Sequence, residues 1–187
     1  MWLFLGLFYG AKNGKVGKSI RVAFTGPESS GKTTLANYVA STYRGSYVEE
    51  FARIFLAEKS YYHQSDLDSI AEGQAKSWES AHDFLVADTE MTVLCIWSLY
   101  KYKSISTKIL EQLNQQQFDV LFLCKPDIPW EFDPLRENSD NRDELFDLYH
   151  SFLLQNKETF VIVEGNEQQR KSIVDTVVKS LLKKTNL

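Results

Sequence analysis

Residues 26–33 read Gly26-Pro27-Glu28-Ser29-Ser30-Gly31-Lys32-Thr33, a full match to the phosphate-binding pattern G-x-x-x-x-G-K-[ST]. An apolar run of strand length, Ile20 to Thr25, precedes it, and a helical pattern from Lys32 to Tyr43 follows. That order matters, because the glycines let the backbone curl between strand and helix. The loop's backbone N–H groups then converge on phosphate oxygens at the positive end of the helix dipole. The spacing predicts that Gly26, Glu28, Ser29, Ser30, Gly31 and Thr34 cradle the phosphates of a nucleoside triphosphate. Lys32 would reach the β- and γ-phosphates, and the Thr33 hydroxyl would ligate Mg2+.

Outward from this loop, short apolar runs alternate with longer helical ones. Strands are expected at 20–25, 46–49, 84–87, 118–124 and 159–164, and helices at 32–43, 50–58, 66–82, 92–101, 142–155 and 168–183. The strand runs are continuous rather than alternating, as in parallel strands covered on both faces. The pattern predicts an α/β three-layer sandwich around a central, mostly parallel five-stranded sheet. At 187 residues, 43% hydrophobic and 25% charged, the chain is neither disordered nor fibrous. Its 21 basic and 25 acidic residues leave a net charge of −4, which argues against nucleic-acid binding through bulk positive charge. Cys95 and Cys124 sit in apolar runs, as in a reducing, cytoplasmic setting. His63, His82 and His150 are too scattered for a zinc site. Residues 1–18 open with an apolar stretch too short to span a bilayer. They are expected to be an appendage, or the product of a start codon placed too early, ahead of a domain at 19–187; no membrane partner is expected.

Further candidates lie at the strand ends. Asp88 closes an apolar strand where a Walker-B acid would stand, able to hold Mg2+ through water or to orient a hydroxyl; it could equally cap the following helix. Glu50 and Arg53 follow the second strand, where the alternative is a solvated helix start. Between 125 and 142 lies a loop with three of the four prolines, expected to be a lid. Its Arg136 and Arg142 would meet the transferring phosphoryl group, and Trp130 offers a stacking surface or a packing plug. Asn166 and Arg170 follow the last strand and border the nucleotide base in a sheet of this class, although Asn166 could serve as a helix N-cap.

Four segments together resemble the ribosylnicotinamide kinase domain of NadR-type proteins and related small P-loop proteins: residues 26–35, Glu50-Phe51-Ala52-Arg53, Ala87-Asp88-Thr89-Glu90, and the loop from Pro126 to Arg136. The resemblance covers about residues 20–182. It implies a kinase-type fold with a lid loop, ATP and Mg2+ as cofactors, and transfer of the γ-phosphoryl group to the 5′-hydroxyl of a riboside such as nicotinamide riboside. On that resemblance Glu50 and Asp88 flank the acceptor with Arg53 beside them, Trp130 and Asp133 lie near its base and ribose, and Arg136 and Arg142 belong to the lid. The family often has Asp-Thr-Asp where this chain has Asp88-Thr89-Glu90. No H-x-G-H signature surrounds any histidine, so adenylyl transfer is not expected. The alternative is a regulatory ATPase that couples hydrolysis to a partner protein.

Overall fold

The computed structural model describes residues 19–57, 59–80, 83–133 and 138–185. The expectation for residues 1–18 and the lid residue Arg136 lie outside them. Five strands, β1 (Ile20–Thr25), β2 (Ser46–Val48), β3 (Phe84–Ala87), β4 (Val120–Cys124) and β5 (Phe160–Val163), form one sheet in the order β2-β3-β1-β4-β5. Every pairing is parallel, with Val22 opposite Val86 on one side and Val120 on the other. Side chains alternate across the strands, so each strand feeds two cores. Val22, Phe24, Val86, Phe122 and Cys124 pack under α1 (Lys32–Tyr43) and α7 (Glu167–Thr185). Ala23, Leu85, Ala87, Leu121 and Leu123 pack under the other helices: α2 (Phe51–Leu56), α3 (Gln64–Ser77), α4 (Met91–Tyr102), α5 (Thr107–Gln115) and α6 (Arg142–Gln155). Phe24 and Phe122 stack with centroids 5.0 Å apart at the centre of the first core.

The helix α5 was not among the expected elements. It buries only Ile109 and Leu113, and Ser106 starts it by accepting from the Ile109 N–H at 3.2 Å. Ile109, Leu110 and Leu113 share one face at helical spacing, and that face packs beside α3 and α4. No helix among the described residues is long and apolar enough to cross a membrane. Because β1 lies between β3 and β4, the chain leaves the sheet in opposite directions at their carboxyl ends, where a crevice opens.

Candidate active site

The phosphate loop occupies that crevice. Gly26 has φ +127°, and a Cβ there would sit 2.6 Å from the Cys124 carbonyl oxygen, so only glycine lets β1 turn away beside β4. Gly31 has φ +84° and starts α1. Ser29 is left-handed as well, with φ 52°, a conformation costing a non-glycine residue about 1–2 kcal/mol. Several contacts hold the loop in this shape. Ser30 Oγ donates to the Pro27 carbonyl at 2.7 Å, and Ser29 Oγ accepts from Glu131 N at 2.9 Å. The Lys32 ammonium folds back onto the loop's own carbonyls, donating to Gly26 O at 2.9 Å and Pro27 O at 2.7 Å. A polyphosphate seated in the loop would draw Lys32 off these neutral acceptors, because charge-assisted bonds are about twice as strong.

Arg170, 3% exposed, ties the loop to the sheet from behind. Its guanidinium donates to Ser30 O at 2.8 Å, to Gly165 O at 2.8 Å and to Lys125 O at 2.6 Å, and pairs with Asp127. Asp127 in turn accepts from Gly165 N at 2.7 Å. One side chain thus joins the phosphate loop to the ends of β4 and β5. Asn166, which is exposed, and Gln169 exchange side-chain and backbone bonds of 2.9 and 3.0 Å, a reciprocal cap on α7.

The acids sit on the opposite side of the loop. Asp88, 1% exposed, follows β3; its N–H reaches Val48 O at 2.9 Å and its carboxylate accepts from the Tyr47 hydroxyl at 3.1 Å. Glu50 precedes α2 and pairs with Arg53 Nε at 3.3 Å, while Arg53 Nη1 holds Asp133 of the loop at 2.8 Å. Burial pushes the Glu50 carboxyl above the usual carboxylate range; Lys32 opposes the shift and Asp88 adds to it. The side chain that positions Glu50 is Gln74, 1% exposed on α3, whose amide accepts from Phe51 N at 2.7 Å and donates to Glu49 O at 3.3 Å. Its place inside the amphipathic pattern of α3 concealed it in the sequence.

Glu90 is completely buried rather than lining the crevice. It caps α4 by accepting from Thr92 N at 2.7 Å. Burial raises its carboxyl above the ordinary range, against the Thr92 N–H and the Gln116 amide. The loop after β4 lies across the phosphate loop. Asn138 N donates to Glu28 Oε2 at 2.9 Å, and Arg142 Nη1 donates to Ser29 O and Ile128 O, both at 3.1 Å. The Arg142 guanidinium also stands 5.6 Å from the Trp130 ring centroid.

A single cavity of about 390 Å³ joins these parts. At one end it is lined by residues 26–34, including Lys32, Thr33 and Thr34, with Glu50 and Arg53 at the side. At the other end are Val93, Ile96, Trp97 and Tyr100 of α4, with Tyr62 and Tyr149. Trp97 Nε1 donates to the Tyr62 hydroxyl at 2.8 Å, and the two rings meet edge to face. The structure therefore brings Glu50 and Arg53 to the phosphate loop. It leaves Asp88, Asp133, Arg142, Trp130, Asn166 and Arg170 outside the residues that line the cavity. Sequence reading missed the aromatic wall of Tyr62, Trp97, Tyr100 and Tyr149, which is spread over α4, α6 and the loop before α3. Thr33 and Asp88 offer the hard oxygen donors that suit Mg2+. No group of three or more His, Cys, Asp or Glu side chains forms a metal cage among the described residues. Mg2+ needs none when phosphates supply its other ligands.

A family model described as an AAA domain matches residues 21–170. The trifunctional NAD biosynthesis/regulator protein NadR of Escherichia coli (strain K12) is 29% identical over 158 residues, 78% of this chain and 38% of that protein. The protein of the same name from Salmonella typhimurium is 28% identical over 155 residues, 76% of this chain and 38% of that one. The chain thus spans well under half the length of these curated relatives. Among solved structures, NadR in complex with NR superimposes with a TM-score of 0.67 at 17% identity, covering 90% of this chain and 52% of that one. A deoxyadenosine kinase from M. mycoides with bound products gives 0.60 at 12% identity, over 87% and 100%. At those identities the likeness is one of fold: a P-loop kinase-type sandwich.

Proposed function

The chain belongs to the AAA-domain family of P-loop proteins, and on that premise we propose that it is a Mg2+-dependent kinase transferring the γ-phosphoryl group of ATP to the 5′-hydroxyl of a riboside, nicotinamide riboside foremost. One observation carries this reading. The cavity does not end at the phosphate loop but runs on into an acid- and aromatic-lined recess. An ATPase that hands hydrolysis to a partner needs no such second chamber. From Val93 to Tyr100 the recess follows eight residues of α4, seven rises of about 1.5 Å or about 10 Å. A nucleoside has room there, with its base against the rings and its 5′-hydroxyl toward Glu50 and Asp88.

In that arrangement Lys32 supplies positive charge to the β- and γ-phosphates, and Thr33 and Asp88 hold the magnesium ion. Bound Mg2+ would neutralise charge developing on the transferring group. Glu50, whose carboxyl is raised by burial, can accept the acceptor's proton as the bond to phosphorus forms. Arg142 and Arg136 are assigned to the phosphoryl group on closure of the loop, and Arg53, Asp133 and Trp130 to the acceptor. The relatives' role in NAD biosynthesis and the NR-bound structure support the choice of acceptor. The test is a coupled ADP-release assay across nicotinamide riboside, other ribosides and deoxyribosides. ADP release should depend on acceptor, with nicotinamide riboside the best of the panel. Acceptor-independent release would favour the regulatory ATPase.

A further inference from the structure

Glu90 is completely buried, and its Oε2 carries two hydrogen bonds. Oε2 accepts from Thr92 N at 2.7 Å and from Gln116 Nε2 at 2.9 Å, while Gln116 Oε1 accepts from Met91 N at 3.0 Å. Two side chains thus satisfy two of the open N–H groups that start α4. One comes from the turn after β3 and the other, 6% exposed, from the end of α5. Glu90 Oε1 is buried as well, with the Thr25 and Thr92 hydroxyls beside the carboxylate. The protein keeps a carboxylate in this costly place although its side chain is not among those that line the cavity. What it does touch is the first turn of the helix whose Val93, Ile96, Trp97 and Tyr100 form the recess wall.

We propose that Glu90 is a positioning residue for the acceptor: with Gln116 it sets the placement of α4, and so the recess wall, without contacting the substrate. A helix rotates about 100° per residue, so a loosened first turn misplaces every ring that follows. Misplacement of about 1 Å near a reacting group can cost on the order of a hundredfold. The phosphate loop rests on Arg170 and on its own contacts, so ATP binding should be spared.

This inference rests on the kinase reading, and the test separates the two. Glu90→Ala should raise the acceptor KM by about tenfold or more while the ATP KM stays within about twofold. Glu90→Gln should restore the acceptor KM to within about threefold, since its amide oxygen keeps both donors and its NH2 can face the Thr25 and Thr92 hydroxyl oxygens. Gln116→Ala should reproduce the shift, and the double variant should be no worse than Glu90→Ala alone, as expected of one coupled unit. Hydrogen exchange of the Met91 and Thr92 amides should quicken in Glu90→Ala and Gln116→Ala but not in Glu90→Gln. The proposal is overturned if Glu90→Gln is as impaired as Glu90→Ala while Gln116→Ala is silent, the pattern of a carboxylate that touches substrate. Unchanged exchange in Glu90→Ala would overturn it too. If the wild type phosphorylates no riboside, the kinase reading falls, and the exchange measurements still decide whether Glu90 clamps α4.

Discussion

Arg170→Met removes the guanidinium that joins three chain segments while keeping most of the side chain's volume. It strands the Ser30, Gly165 and Lys125 carbonyls and leaves the Asp127 carboxylate without its cation. Removing one partner of a buried, hydrogen-bonded ion pair costs about 3–5 kcal/mol. The Asp127 side chain is 30% exposed, so water recovers part of that and the lower end applies, about 3 kcal/mol. For a chain of this size each kcal/mol shifts Tm by about 2–4 °C, so thermal unfolding should fall by roughly 6–12 °C. The same change frees the Ser30 carbonyl beside left-handed Ser29, so ATP affinity should also drop by about tenfold, ~1.4 kcal/mol. Circular dichroism melts and ATP titration calorimetry read both effects. Arg170→Lys should fall between, since an ammonium cannot reach all three carbonyls in one plane. A Tm within about 2 °C of wild type together with a large loss of ATP affinity would refute the reasoning. Arg170 would then act on the nucleotide and not on the scaffold.

Lys32→Ala should lower turnover by about a hundredfold or more, with Tm nearly unchanged, because Nζ bonds only loop carbonyls that water can replace; comparing melts with kinetics checks both halves. For Glu50 the folded carboxyl is raised by burial, so its protonated form adds stability at low pH that is lost as pH rises through the raised value. If it is the base, kcat/KM should fall as pH drops through a limb above the ordinary ~4.3 of glutamate, and Glu50→Gln should abolish that limb; the same limb in the variant would assign it to another group. Arg142→Ala releases Ser29 O and Ile128 O, so limited proteolysis within residues 126–141 should quicken, and turnover should fall more than ATP affinity. Proteolysis at the wild-type rate would show that Arg142 does not hold the loop down.

Much of this molecule was legible in the chain because its signals are local. The phosphate loop and the flanking apolar runs define β1 and α1 to the residue, and α6 lies at 142–155 as its pattern indicates. The ends of α3 were less clear, since the pattern runs to 82 while the helix stops at Ser77 and tightens into a 3-10 turn over Trp78–Ser80. Sheet order was not legible, because it depends on contacts such as Val22 with both Val86 and Val120 that no local pattern encodes. The same holds for the site. Lys32 is read from spacing and Glu50 from its place after the second strand, but the burial of Glu90 and the three carbonyls beneath Arg170 come from distant segments. A buried arginine and a lid arginine look alike in sequence. Only their partners separate them.

The most direct measurement of the kinase account is the fate of the γ-phosphoryl group. Wild-type protein is incubated with ATP, Mg2+ and nicotinamide riboside, and the products are followed by phosphorus NMR and mass spectrometry. The account predicts a 5′-phosphomonoester of the riboside formed in equal amount with ADP, and none when the riboside is left out. Release of inorganic phosphate at the same rate with and without any riboside, and no phosphorylated nucleoside, would contradict it.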